Sequence, residues 1–298
     1  MIEIQRILCP VDFSDTSRRA LEHAVAIAVW YESQIVALHV VHTPVLPQPP
    51  VLFAELTSGG PPAAVHRSRE AELRSFLEPA RRAGVKSEVV VDEGHPADRI
   101  VDRARAERAD LIVMGTHGLS GLERLMLGSV AEKVLRRATC PVMTVPLTAV
   151  TSATVPYTRL LCPLDFSESS LAAVRFAFSL AEEADARLTL LHVVEWPADD
   201  ELLVEQFDTP ELRRTVEERA TRRLEALVTD DVKTWCRPAA KIGYGKPYRQ
   251  ILETARNEAS DLIVIGIRGR NPLDLVLFGS TTNHVVRRAS CPVLTLRP

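Results

Sequence analysis

Two stretches of the sequence return later in the same chain. Residues 6–17, Arg-Ile-Leu-Cys-Pro-Val-Asp-Phe-Ser-Asp-Thr-Ser, recur at residues 159–170 as Arg-Leu-Leu-Cys-Pro-Leu-Asp-Phe-Ser-Glu-Ser-Ser, identical at 8 of 12 positions. Residues 127–145 recur at 278–296, identical at 10 of 19. The offset is 153 residues at the front and 151 at the back, a net difference of two. A period this long marks a duplicated domain rather than a solenoid. The 298 residues also amount to about two domains of ~150 residues each, and each half can bury its own core. The expected domains are residues 1–147 and 156–298, joined by the small, Pro-flanked stretch 146–156.

Short apolar runs alternate with amphipathic stretches in each half. In the first, residues 6–10 read as a buried strand. Ser14 then caps a helix to about Trp30, with Ala20, Leu21, Ala24 and Ala28 on one face. Strands are expected at 34–41, 88–91, 110–115 and 141–145, and helices at 66–83, 96–109 and 129–138. Residues 43–64 carry six prolines and two glycines and read as an irregular excursion, and residues 195–210 form an acidic one in the second half. Alternating strands and helices, with strands apolar throughout, predict a parallel sheet covered on both faces. The fold class is therefore α/β, with two tandem, open, doubly wound five-stranded parallel sheets.

The strand Leu111-Ile-Val-Met-Gly115 is followed by Thr116-His-Gly118, nine residues, then Gly128-Ser129 and a helix. The second copy runs Leu262-Ile-Val-Ile-Gly266, Ile267-Arg-Gly269, nine residues, Gly279-Ser280 and a helix. Glycine lets backbone turn sharply and approach a ligand, because no Cβ intervenes. The helix start offers unpaired N–H groups and about half a positive charge, which suits phosphate oxygens, and the Ser129 hydroxyl adds a donor. Such a site lies at the carboxyl end of the sheet. Turn glycines with a plain helix cap would explain one copy. Two intact copies point to a phosphate site, although shared ancestry links them.

Composition removes other classes. The chain has 36 Lys plus Arg against 39 Asp plus Glu, a formal net charge of −3, which gives no basic field for nucleic acid. Only five of the cations are Lys, and an Arg-rich balanced set reads as surface ion pairs. No run of ~18 uncharged apolar residues predicts a membrane span. Glu3 and Arg6 interrupt the first apolar run, so no signal peptide is expected and the chain is placed in the cytoplasm. The five cysteines, Cys9, Cys140, Cys162, Cys236 and Cys291, contain no CxxC pair. Cys140 and Cys291 read as small buried hydrophobes, and Cys236 has no counterpart in the first half. His39 and His42 fall on opposite strand faces and read as core or rim histidines, so no metal site is expected. Gly245-Lys246-Pro247 fails the P-loop pattern. Asp12 lacks the acidic partners and later Lys of a phosphoacceptor site, and no dinucleotide fingerprint follows the first strand.

The residues together resemble the universal stress protein family. The resemblance rests on Pro-Val-Asp12 and Pro-Leu-Asp165, Leu38-His-Val40 and Leu191-His-Val193, the Gly-x2-Gly-x9-Gly-Ser loops, and the closing Arg-Arg-Ala-x-Cys-Pro-Val runs. It covers nearly all of each half, and the glycine loop marks the ATP-binding branch. The resemblance implies an adenine nucleotide alpha hydrolase-like fold, with the last strands, 141–145 and 292–296, paired as an internal pseudo-dimer. It also implies an ATP pocket in each half, with Mg2+ accompanying the ATP. Asp12 and Asp165 would meet the adenosine, and Val40 and Val193 the adenine. Gly115, Gly118, Gly128 and Ser129 would hold ribose and phosphates, as would Gly266, Gly269, Gly279 and Ser280. Pro10, Val130, Pro163 and Thr281 complete the two sets.

Within the loops, His117 stands where the second copy has Arg268, and Arg124 where it has Leu275, so the two sites are expected to differ. The leading function is nucleotide-dependent regulation of a stress response, with ATP shifting conformation, self-association as a homo-oligomer (a dimer of two-domain chains), or partner binding. No catalytic residue is assigned. The enzymatic alternative, a slow ATPase or self-phosphorylating protein, would need a water-orienting group and metal-binding acids near the phosphates. The loops offer only Glu123 and Asp274. A structural module that binds no nucleotide is the third reading.

Overall fold

The computed structural model describes residues 2–42, 63–118, 127–150, 157–195, 209–229, 232, 238–267 and 279–297. The chain divides into two compact units, one of residues 3–147 and one of residues 148–298 together with residues 1–2. The proline-rich and acidic excursions fall largely outside the described residues, as do Cys236 and the loop positions Glu123, Arg124, Arg268, Gly269, Asp274 and Leu275.

In the first unit the order is β1 (Arg6–Pro10), α1 (Asp15–Tyr31), β2 (Gln34–Val41), α2 (Ala63–Phe76), α3 (Glu78–Arg82), β3 (Ser87–Glu93), α4 (Pro96–Ala106), β4 (Leu111–Gly115), α5 (Ser129–Arg137) and β5 (Val142–Val145). Every pairing among these strands is parallel, and the spatial order is β3-β2-β1-β4-β5. The order reverses between β1 and β4. With right-handed crossovers this puts helices on both faces and opens a crevice at the carboxyl ends of those two strands. The second unit repeats the plan with β6 (Arg159–Leu164), α6 (Glu168–Ala184), β7 (Arg187–Val194), α7 (Pro210–Glu225), β8 (Ala239–Tyr244), α8 (Pro247–Asn257), β9 (Leu262–Gly266), α9 (Ser280–Arg288) and β10 (Val293–Leu296). Its sheet is also parallel, in the order β8-β7-β6-β9-β10.

Local chemistry sets most of these bounds. Ser14 caps α1, its hydroxyl accepting from the Ser17 N–H at 3.2 Å, and Ser167 caps α6 in the same way. Ala20, Leu21, Ala24 and Ala28 are buried on the inner face of α1, which lies against β1 and β4. The single helix expected over 66–83 is instead two, because Pro79 has no N–H to continue the ladder and sits in the first turn of α3. The strand expected from residue 110 begins at Leu111. The Asp110 carboxylate accepts from the Gln5 and Arg6 N–H groups at 2.8 and 2.9 Å, pinning the start of β1 from across the sheet. Asp261 does the same for Thr158 and Arg159 at 2.9 Å each. Many arginines pair with carboxylates on exposed faces, as Arg81 does with Glu78 at 2.8 Å, and such pairs add little stability each. Cys9, Cys162 and Cys291 are buried, whereas Cys140 is only half-buried, at the turn into β5. Burial pushes the thiols of Cys9 and Cys291 up to about 12, so they are inert hydrophobes at neutral pH.

One buried titratable group carries no sequence motif that marks it. His23 of α1 is 0% exposed. Burial, with Arg19 adding to it, holds its pKa down from 6.5 to about 3. The unfolded chain therefore takes up a proton near pH 6.5 that the folded chain refuses. The stability conferred by neutral His23 is full above that pH and is lost as pH falls. Between pH 6.5 and 5 the unfolding free energy is expected to drop at up to about 1.4 kcal/mol per pH unit. Urea unfolding at pH 7 and pH 5 checks this, and His23→Leu is expected to flatten the slope.

Candidate functional site

Each unit carries a crevice at the carboxyl edge of its sheet. The first, of about 420 Å³, is lined by Pro10, Asp12, Val40, Gly115, Gly118, Gly128, Ser129 and Val130, so every first-half residue expected in the site lies on one wall system. The second, of about 120 Å³, brings together Pro163, Asp165, Val193, Gly266, Gly279, Ser280 and Thr281. Gly269 lies outside the described residues.

The turn from β1 to α1 aims Asp12 at the first crevice. Phe13 follows it in the left-handed region at φ 65°, and Phe166 repeats this at 63°. A bulky residue there costs roughly 1–2 kcal/mol and needs bracing from its surroundings. His39 supplies the brace: its ring packs on Phe13 at 4.7 Å, and its Nδ1 lies 2.8 Å from the Val11 carbonyl oxygen. His192 does the same against Phe166 and Leu164, at 4.8 and 2.9 Å. The duplicated Asp-Phe-Ser and Leu-His-Val motifs, equally spaced in both halves, were the available signal. His39 is thus a half-buried rim residue, as its strand position suggested. His42 stands apart from it and packs edge-on against His95 at 5.2 Å. Among the described residues no group of three or more His, Cys, Asp or Glu side chains could hold a metal ion.

Asp12 is held by its own turn. Its Oδ1 accepts from the Ser14 N–H at 3.1 Å and from the Ser14 hydroxyl at 2.5 Å. Asp165 accepts from Ser167 at 3.0 and 2.6 Å. The Ser14 hydroxyl lies 3.0 Å from that of Thr16, which donates to the His117 carbonyl at 2.6 Å. Buried Thr16 therefore ties the start of α1 to the glycine loop. Thr16→Val keeps the shape but leaves that carbonyl without its partner, and is expected to cost about 1–3 kcal/mol of stability. Nucleotide affinity is expected to fall about tenfold, with Thr16→Ser restoring both. Urea unfolding and titration calorimetry read the two effects.

The glycines divide by role, which corrects the idea that both Gly115 and Gly118 stand bare to admit a ligand. A Cβ on Gly115 would lie 3.0 Å from the Thr16 carbonyl carbon, and one on Gly266 would lie 2.7 Å from the Ser169 carbonyl carbon and the Ser170 nitrogen. These two glycines let the first turn of a helix sit on the strand end. Gly118 faces the site instead: its Cβ would meet Asp12 Oδ2 at 2.5 Å. Gly128 packs against the Thr116 carbonyl, 3.2 Å from a Cβ there, and its N–H donates to that oxygen at 2.9 Å, which sets the start of α5.

The donors in the first crevice suit an anion. Gly128 caps α5 without a side chain, and Glu132 is the first residue whose N–H closes back on Gly128, so the N–H groups ahead of it face the crevice mouth. His117 Nδ1 lies 2.9 Å from the Thr116 hydroxyl. Its Nε2 is buried with no hydrogen-bond partner. A phosphorylated ligand fits this set, and a magnesium ion would then come coordinated largely by phosphate oxygens and water.

Comparison with known proteins adds the family context. The universal stress protein family model matches residues 3–146 and again 156–297. A universal stress protein of Mycolicibacterium smegmatis is 26% identical over 309 residues, covering 98% of this chain and 97% of its own. One from Methanocaldococcus jannaschii is 39% identical over 142 residues, 47% of this chain and 81% of its own. A solved universal stress protein from Archaeoglobus fulgidus superposes with a TM-score of 0.70, covering 99% of both chains. At 22% identity this is a likeness of fold.

Proposed function

The chain belongs to the universal stress protein family, and from that premise we propose that it is an ATP-binding regulator whose ligand enters the crevice at the carboxyl edge of the sheet. One observation carries the reading: Asp12, the open edge at Val40, Gly118, His117 and the start of α5 line a single crevice of about 420 Å³. That volume lies in the ~300–1,000 Å³ range of small-molecule sites. Asp12 would take the adenosine hydroxyls or base edge, Val40 would offer an apolar wall, and Ser129 and the α5 N–H groups would take phosphate oxygens. Bound nucleotide changes the protein's state only by preferring one conformation, self-associated form or partner complex over another.

Mass spectrometry of the nucleotide released when the purified chain is denatured, together with titration calorimetry against ATP and Mg2+, tests this. Saturable binding supports the reading. A crevice that stays vacant at saturating ATP and Mg2+ ends it. Sedimentation with and without ATP then reads the effect on self-association.

A further inference from the structure

The two crevices share an ancestor but not a lining. Building on the nucleotide-binding reading, we infer that one chain holds one nucleotide, in the first unit, and that the second crevice has lost this capacity. At about 120 Å³ the second crevice is well below the ~300 Å³ at which small-molecule sites begin, whereas the first, at about 420 Å³, exceeds it.

The chemistry changes in the same direction. Where β2 runs out into the first crevice stands His42, and at the same place after β7 stands Glu195. The second crevice is thus lined by two carboxylates, Asp165 and Glu195, where the first has Asp12 and imidazoles. A second negative charge beside a polyphosphate opposes binding most strongly in a partly desolvated cleft. After the strand-end glycine the first unit has Thr116, whose hydroxyl lies 2.9 Å from His117 Nδ1. The second has Ile267 there, which is 3% exposed and makes no side-chain hydrogen bond. The second crevice's smaller volume and its Glu195 carboxylate therefore both favour the first crevice. Gly266 has a use there apart from any ligand, because it packs against Ser169 and Ser170.

The test uses the full chain with ATP and Mg2+. Calorimetry is expected to give one site per chain, and Asp12→Asn to remove it, with circular dichroism confirming that the variant is folded. Photolabelling of the wild-type chain with 8-azido-ATP, followed by peptide mapping, is expected to mark only peptides from residues 3–147. Two sites per chain, or label in peptides from both units, overturns the asymmetry while leaving the nucleotide reading intact. No binding and no label at all overturns both.

Discussion

Gly266→Ala is expected to destabilise the second unit by about 3 kcal/mol, because the added methyl meets backbone rather than a movable side chain. Its Cβ would lie 2.7 Å from both the Ser169 carbonyl carbon and the Ser170 nitrogen, and 2.4 Å from the Ser169 hydroxyl. The Ser169 hydroxyl can rotate away. The two backbone atoms belong to the first turn of α6, fixed by the Ser167 cap and by buried Ser169 and Ser170, so relief requires the helix to lift off β9. Gly266 is not among the positive-φ residues, so the cost is steric and not conformational. Scanning calorimetry is expected to show the second unit melting roughly 6–12 °C lower. A variant within about 1 °C of the wild type would show that β9 and α6 are not so tightly apposed. Gly115→Ala, with its nearest contacts at 3.0 Å, is expected to do less.

Gly118→Ala is the complementary case, with a large effect on ligand and a small one on fold. The new methyl would sit 2.5 Å from Asp12 Oδ2, so the carboxylate must turn away. Its Oδ1 is held by Ser14 at 3.1 and 2.5 Å, and turning breaks that geometry as well. Losing a charge-assisted hydrogen bond to the ligand costs about 1.5–3 kcal/mol, or roughly 10–100-fold in ATP affinity. Stability is expected to fall by about 0.5–1.5 kcal/mol, the cost of the disturbed Ser14 contacts. Calorimetric affinity unchanged within twofold would remove Asp12 from the binding role. On the proposed reading the substitution acts through Asp12, so Asp12→Asn combined with Gly118→Ala is expected to be no worse than either alone.

Much of this protein was legible without coordinates. The strand periods, the Ser14 and Ser167 caps, the proline starts of α4 and α8 and the duplication are local features, set by residues within a turn or two of each other. They fix the element order, and right-handed crossover then fixes the doubly wound sheet and the edge where the crevice opens. The glycine loop stood out because it occurs twice, and the family resemblance supplied the other candidate residues. Each described one lines its own unit's crevice.

What escaped the sequence depends on partners far apart along the chain. Thr16 reaches the His117 carbonyl across 101 positions, and the Asp110 carboxylate reaches the Arg6 N–H across 104. His39 braces the Val11 turn from 28 residues away. No pattern of spacing separates a glycine that admits a helix, such as Gly266, from one that faces a carboxylate, such as Gly118, because both read as a bare backbone position. The distinction belongs to the direction in which the missing Cβ would point and to the atoms already there, and only packing in three dimensions decides that.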